Sequence, residues 1–118
     1  MSGHVRSVAK DRAAVELADD PGSVIDCPAP DGSALAPGHE VEISVRPEAI
    51  SLGQSADGRA GLLHGIVEAV LYQGERSECE VKVGNAAVII YVPRDTTIAQ
   101  GDSITLAIAR DAPRLWLK

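Results

Sequence analysis

The sequence predicts an all-β fold, a small barrel or sandwich of about nine or ten short strands with little helix. Three observations carry this. Apolar residues recur at alternate positions over short segments, the period of a half-buried strand. Turn-forming Gly, Pro, Asn and Asp separate those segments. And one phrase occurs twice. Residues 38–52 and 101–117 each open on a glycine turn and continue with an alternating apolar triplet (Val41, Ile43, Val45; Ile104, Leu106, Ile108). Each ends in a charged bend and a short apolar strand (Ile50, Leu52; Leu115, Leu117). An echo precedes each copy: Gly3-His4-Val5-Arg6-Ser7-Val8 against Gly65-Ile66-Val67-Glu68-Ala69-Val70. A repeat of this kind fixes architecture. It implies one domain over residues 1–118, with repeat halves 3–52 and 62–117 joined by a loop at 53–61.

The elements follow in order. After the echo at Gly3, Ala13-Ala14-Val15-Glu16-Leu17 alternates and stops at the turn Asp19-Asp20-Pro21-Gly22. Residues 23–27 make a short strand closed by Pro28 and Pro30, so 28–37 is expected to be loop or edge, because proline lacks the donor a central strand needs. Residues 41–45 show the cleanest alternation, with Glu42 and Ser44 outward. Residues 53–61 have no periodicity and three glycines. A long apolar strand is expected over 62–72, turned by Gln73-Gly74-Glu75 into 78–83, where Cys79, Val81 and Val83 alternate with Glu80 and Lys82. Gly84-Asn85 is a tight hairpin connection. Residues 86–92 are apolar on both faces and stop at Pro93; 96–100 is one helical turn or loop.

Composition narrows the function. The 118 residues carry a net charge of −6 and three aromatics, Tyr72, Tyr91 and Trp116. Nucleic-acid binding wants a basic groove with stacking rings, and an anionic membrane surface also wants cations. No segment approaches the ~18–20 apolar residues of a membrane helix, and no signal-peptide core is present. Cys27 and Cys79 are far apart without metal-ligand spacing and are expected to be reduced thiols. His4, His39 and His64 lack the spacing of metal ligands. No phosphate loop, dinucleotide fingerprint or nucleophile elbow is found. The expectation is therefore a non-enzyme with no catalytic, cofactor-binding or metal-binding residues. The abrupt strand-like start reads as the cut edge of a larger protein.

Four patches resemble one family. Val45-Arg46-Pro47-Glu48-Ala49-Ile50-Ser51-Leu52, Gly65-Ile66-Val67-Glu68-Ala69-Val70-Leu71-Tyr72-Gln73-Gly74, Glu78-Cys79-Glu80-Val81-Lys82-Val83 and Gly101-Asp102-Ser103-Ile104-Thr105-Leu106 are similar, in order and spacing, to the TOBE domain. That is the OB-like domain C-terminal to the ATPase of many bacterial ABC importers. Cys79 departs from the family, which often has an aromatic there. The resemblance implies an OB-like fold and a non-catalytic regulatory and dimerisation role in solute import, for polyamines, iron, sugars or similar solutes. The implied partners are the ATPase domain of the parent chain, a second copy and, indirectly, the permease. ATP and magnesium would belong to that ATPase domain, and the location would be the cytoplasmic face of the membrane. The alternatives are an oxyanion-binding domain of the molybdate type, whose usual Ser-Ala-Arg-Asn opening is not matched by Ser2-Gly3-His4-Val5-Arg6, and a nucleic-acid-binding OB-fold.

Three places are candidates for interaction. Arg46, Pro47 and Glu48 form the signature bend: either an Arg46–Glu48 pair ties it, or it meets a partner. Tyr72, Gln73, Gly74 and Glu75 are either a turn with Tyr72 packed on the barrel or a ligand- or partner-facing loop. Val88, Ile89, Ile90, Tyr91 and Val92 are covered on both faces within the domain or form a dimer strand. Glu75, Glu78 and Glu80 read as a solvated face, with cation recognition as the functional alternative.

Overall fold

The computed structural model describes residues 1–18, 20, 22–29, 35–53 and 59–117. The described chain is all-β, with ten strands and a single 3-10 turn at Pro47–Ala49. The strands are β1 (Ser2–Ala9), β2 (Arg12–Leu17), β3 (Val24–Pro28), β4 (Glu40–Ser44), β5 (Ile50–Leu52), β6 (Arg59–Gln73), β7 (Arg76–Val83), β8 (Ala86–Pro93), β9 (Ser103–Ala109) and β10 (Arg114–Leu117).

They form two five-stranded antiparallel sheets, β10-β4-β1-β2-β3 and β5-β9-β6-β7-β8. The two orders are the same once β1 is matched with β6, β2 with β7 and so on. The repeat is thus real in three dimensions, with one addition that the sequence did not reveal. The last strand of each half leaves it: β5 pairs with β9 of the second half, and β10 pairs with β4 of the first. The ladders place Ile43 opposite Leu115 and Leu106 opposite Leu52. Leu52 and Leu115 are therefore equivalents, and Leu117 corresponds to a position outside the described residues.

Each sheet curls until its outer strands approach, β3 against β10 and β8 against β5. The enclosed side chains make one apolar core, with Val15, Ile25, Val41, Ile43, Leu63, Val81, Ile90, Leu106 and Ile108 all at 1% exposure or less. The inward phase expected for the repeated triplets holds for Val41, Ile43, Leu106 and Ile108; Val45 and Ile104 are only partly buried against that core. Ile98, in the 96–100 connection, is also in the core, and the connection is loop, not a helical turn.

The echo is repeated atom by atom. Both β1 and β6 carry a register shift after the same residue, between Val5 and Ser7 and between Val67 and Ala69. Val5 N–H donates to the His39 carbonyl and Val67 N–H to that of Asp102. Gly3 and Gly65 sit where the facing strand comes closest. A Cβ on Gly3 would lie 2.5 Å from the Glu16 carbonyl oxygen, and one on Gly65 would lie 2.6 Å from Val81 Cγ1 and 2.8 Å from the Lys82 carbonyl oxygen. Only glycine fits either place.

Two expectations need correction. Pro28 is inside β3, pairing with Arg12, which is allowed because β3 is an outer strand. Residues 59–61 belong to β6, not to the loop between the halves: the ladder to β9 already begins at Arg59 and shifts register before Gly61. Gly61 is needed there because a Cβ would lie 2.8 Å from the Val24 carbonyl oxygen, besides meeting Ile25 Cδ1 at 2.6 Å. The rest of that expected loop, 54–58, lies outside the described residues, as do Asp19 and Pro21 of the first turn and 30–34 of the proline-rich segment.

Two stability outcomes are expected in urea unfolding. Ile43→Ala and Leu106→Ala, at equivalent fully enclosed positions, should each cost about 2–5 kcal/mol. Gly3→Ala and Gly65→Ala should each cost about 1–3 kcal/mol, because backbone has to move to admit one methyl group. An exposed control, Glu80→Ala, should change little.

Candidate functional site

The exchange of β5 and β10 requires two crossover segments, 45–49 and 110–113, which pass each other between the sheets. The first begins as a strict extended residue: Arg46 has φ −69° and ψ 143°, the conformation favoured before proline. Pro47 then opens the 3-10 turn, closed by Ala49 N–H to the Arg46 carbonyl at 3.0 Å and Ile50 N–H to the Pro47 carbonyl. The second crossover is clamped by Arg12. Its Nε is 2.9 Å from Asp26 Oδ2 and its Nη1 3.0 Å from Asp111 Oδ1, while Nη2 donates to the Asp26 and Arg110 carbonyls at 3.2 and 3.1 Å. Burial opposes the Arg12 charge, but its hydrogen bonds to Asp111 and Asp26 prevail and hold its pKa above the usual value.

Where the crossovers pass, Ser44, Val45, Arg46, Ala49, Ala112 and Arg114 line a cleft of about 420 Å³. Arg114 is pinned: its Nη1 donates to the carbonyls of Asp111, Ala112 and Pro113 at 2.9–3.4 Å. Ser44 pairs with Arg114 across the ladder, and its Oγ accepts from Trp116 Nε1 at 3.4 Å. Among the described residues no carboxylate lines the cleft. Asp111, the nearest in sequence to Arg114, is engaged by Arg12. The repeat offers a comparison: the positions equivalent to Arg46 and Arg114 are Ala109 and Ser51 by the β4–β10 and β5–β9 registers. The two guanidiniums are thus an addition to the duplicated frame, not a requirement of it.

A larger concavity, about 620 Å³, lies on the outside of β6, β7 and β9, with His64, Glu68, Lys82, Ser103 and Thr105 among its lining. Among its described lining residues Lys82 is the one permanent cation, and Glu68 opposes it. His64 is tied to Asp20, by Nδ1 at 3.3 Å and by its N–H at 3.2 Å. Burial would raise the Asp20 pKa, but hydrogen bonds from Ser23 and His64 lower it below the ordinary carboxyl value, so the acid stays charged beside the imidazole.

The sequence candidates fare differently. Arg46 and Glu48 are both exposed, and no Arg46–Glu48 ion pair occurs among the described residues; the turn is held by backbone hydrogen bonds instead, and Arg46 is left to face the cleft. Tyr72 is 68% exposed, so it does not pack on the barrel, and Gln73, Gly74 and Glu75 are exposed with it. Along β8, Ile90 and Val92 point into the core, with Val88 partly buried against it. Ile89 and Tyr91, on the other face, are half-buried, and the Arg76 guanidinium covers Tyr91 at 3.7 Å from the ring centroid. The inner face of the run is thus covered by the core, and the outer face only in part. Arg114 and Ser44 escaped the sequence reading. The ladder that joins them runs between residues some seventy positions apart, so no local pattern in the sequence could have brought them together with Arg46.

Cys27 and Cys79 are both free and buried. Among the described residues no group of three or more His, Cys, Asp or Glu could hold a metal ion, and no helix is long and apolar enough to cross a membrane.

Residues 43–116, more than half of the chain and including both crossovers, match the family model of the TOBE domain. The chain belongs to the TOBE domain family. No curated protein matches it. Among solved structures it is similar to the cytoplasmic molybdate-binding protein ModG in a molybdate-bound crystal form, with a TM-score of 0.79 and 17% identity, over 99% of this chain and 94% of that one. At that identity the likeness establishes a shared fold. That shared fold includes β1 to β3, which lie before the residues matched by the family model.

Burial pushes the Cys27 thiol up to about 12 from 9.0, with the Asp26 charge adding to it. Thiolate-directed reagents at mildly alkaline pH should leave Cys27 unlabelled in the folded protein and label it in urea. The same shift sets a pH dependence. The unfolded thiol ionises near 9 and the folded one near 12, so its contribution is intact below pH 9 and is lost as pH climbs from 9 to 12. Chemical denaturation at stepped pH should show this decline, and Cys27→Ala should reduce it.

Proposed function

We propose that this TOBE chain is a non-catalytic oxyanion-binding module that takes a tetrahedral dianion of the molybdate type between Arg46 and Arg114. The observation that carries the reading is that Arg46 and Arg114 both line one cleft with no carboxylate among its described lining, in a protein of net charge −6. Guanidinium forks match the paired oxygens of an oxyanion. The Arg114 side chain is pinned before any ligand arrives, and Arg46 leaves a backbone fixed by Pro47, so little ordering remains to be done on binding. The full-length likeness to molybdate-bound ModG supports this choice of ligand.

A second reading has its own support. The run Val45-Arg46-Pro47-Glu48 and the match to the family model favour a regulatory domain of an importer ATPase subunit, with the ATPase domain, a twin and the permease as partners at the cytoplasmic face of the membrane. There the exposed Arg46 and Glu48 would meet the ATPase lobe. The solute, whether polyamine, iron or sugar, would be handled elsewhere in the transporter.

Calorimetric titration with molybdate and with tungstate separates the readings. Arg46→Ala and Arg114→Ala should each weaken binding about ten- to a hundred-fold, the loss of a charged hydrogen-bonding partner at about 1.5–3 kcal/mol, with Lys82→Ala near wild type. If Lys82→Ala abolishes binding and the arginine variants do not, the outer concavity is the site. If neither anion binds at millimolar concentration, the oxyanion reading fails and the importer reading stands.

A further inference from the structure

The outer face of each half carries the same arrangement of strands, but the two differ in how their polar groups are satisfied. Gly3 and Gly65 fix the correspondence. The residue after each glycine pairs across its hairpin, His4 with Glu16 and Ile66 with Lys82. Arg6 and Glu68 are the extra residues at the two equivalent register shifts. On the other side, Ser2 and His4 pair with Glu42 and Glu40, while His64 and Ile66 pair with Thr105 and Ser103. Glu16 therefore corresponds to Lys82, Arg6 to Glu68, Glu42 to Thr105 and Glu40 to Ser103.

In the first half these groups engage one another. Arg6 Nη1 is 3.6 Å from Glu16 Oε2, and Ser2 Oγ donates to Glu42 Oε2 at 2.9 Å. In the second half the signs of the hairpin pair are reversed and the contact is not made. Lys82 and Glu68 are both exposed, and neither has an ion pair or side-chain hydrogen bond among the described residues. The hydroxyls of Ser103 and Thr105 are equally without partners there. Two glutamates have given way to shorter side chains, which leave room above the sheet, and the concavity of about 620 Å³ lies there. Its apolar wall is Ile66, 50% exposed and set between Ser103 and Lys82 on the neighbouring strands. The nearby acids Asp20 and Asp102 are engaged, by His64 and by the Ala99 N–H.

We infer that this concavity binds a small zwitterion, an α-amino acid with an aliphatic side chain. Its carboxylate meets Lys82 and the hydroxyls of Ser103 and Thr105, in place of the carboxylates that the first half carries on β4. Its ammonium meets Glu68, and its side chain lies on Ile66. Both charges are needed for the match. A plain anion would face Glu68 and a plain cation Lys82, and each mismatch selects against the wrong ligand. The inference does not depend on the oxyanion reading, whose cleft lies at the crossovers.

L-leucine is the probe, titrated calorimetrically into the whole chain. Its charges are met at an open surface, so saturable binding with a Kd of about 1 mM is expected. Isocaproate, which lacks the ammonium, and isoamylamine, which lacks the carboxylate, should each bind at least about ten-fold more weakly. Lys82→Ala and Glu68→Ala should weaken leucine binding by a similar factor with the urea midpoint unchanged, and Arg46→Ala and Arg114→Ala should bind leucine as wild type does. Absence of saturable leucine binding overturns the inference. So does isocaproate or isoamylamine binding as tightly as leucine, or a folded Lys82→Ala or Glu68→Ala chain that binds leucine normally. Molybdate titrated into the same samples reads the crossover cleft, so either reading can fail while the other stands.

Discussion

The exchange of terminal strands between the two halves is the constraint on which the structure depends. Had β5 stayed with the first half and β10 with the second, each sheet would be a complete unit and the halves would meet only through side chains. Instead each sheet takes its outermost strand from the other half, and the crossovers have to pass between them. The Arg46 turn, the Arg12 clamp and the cleft are consequences of that passage. Pro47 and the 3-10 turn bring the chain round into β5, and Arg12 fixes the second crossover to β3. The candidate anion site is thus a property of the connection between repeats rather than of either repeat.

The duplication also explains what is uniform and what is not. Positions that set backbone approach are kept in both halves, as Gly3 and Gly65 are, because the facing strand leaves no room for a Cβ in either. The register shifts after Val5 and Val67 are kept for the same reason. Side chains that project from this frame are free to differ. The crossovers differ in having arginine at Arg46 and Arg114 where their equivalents are Ala109 and Ser51. Function is sought most usefully in those differences, since geometry alone would not have produced them.

The strand content and the inward phase of Val41, Ile43, Leu106 and Ile108 were legible because period-2 alternation states which side faces the core. The hairpin at Gly84-Asn85 and the identity of the repeat were legible from turn chemistry and spacing. Strand exchange was not, because a repeat read along the chain is the same whether its last strand stays or crosses; only long-range hydrogen bonding distinguishes them. Residues 59–61 looked like loop because glycine is sparse in strands, yet Gly61 is there to let β6 lie close to Ile25. Tyr72 allowed two readings, packed on the barrel or facing a partner, and at 68% exposure it does not pack on the barrel. Net charge describes the whole chain and not a local place on it: Arg46 and Arg114 line one cleft in a protein of net charge −6.

Strand exchange also bears on how the molecule comes into being. During synthesis the first half emerges with its β4 edge open, and the strand that covers it, Arg114–Leu117, is the last of the ten to be made. Until β9 is made β5 has no strand to receive it, and until β10 is made β4 has only one neighbour. The nascent first half is therefore a sheet lacking its border beside a strand lacking its sheet, and it cannot mature by itself while the second is translated. Contacts between residues so distant along the chain are slow to form. The protein accordingly becomes whole in one late, cooperative event rather than half by half, despite being written as the same module twice.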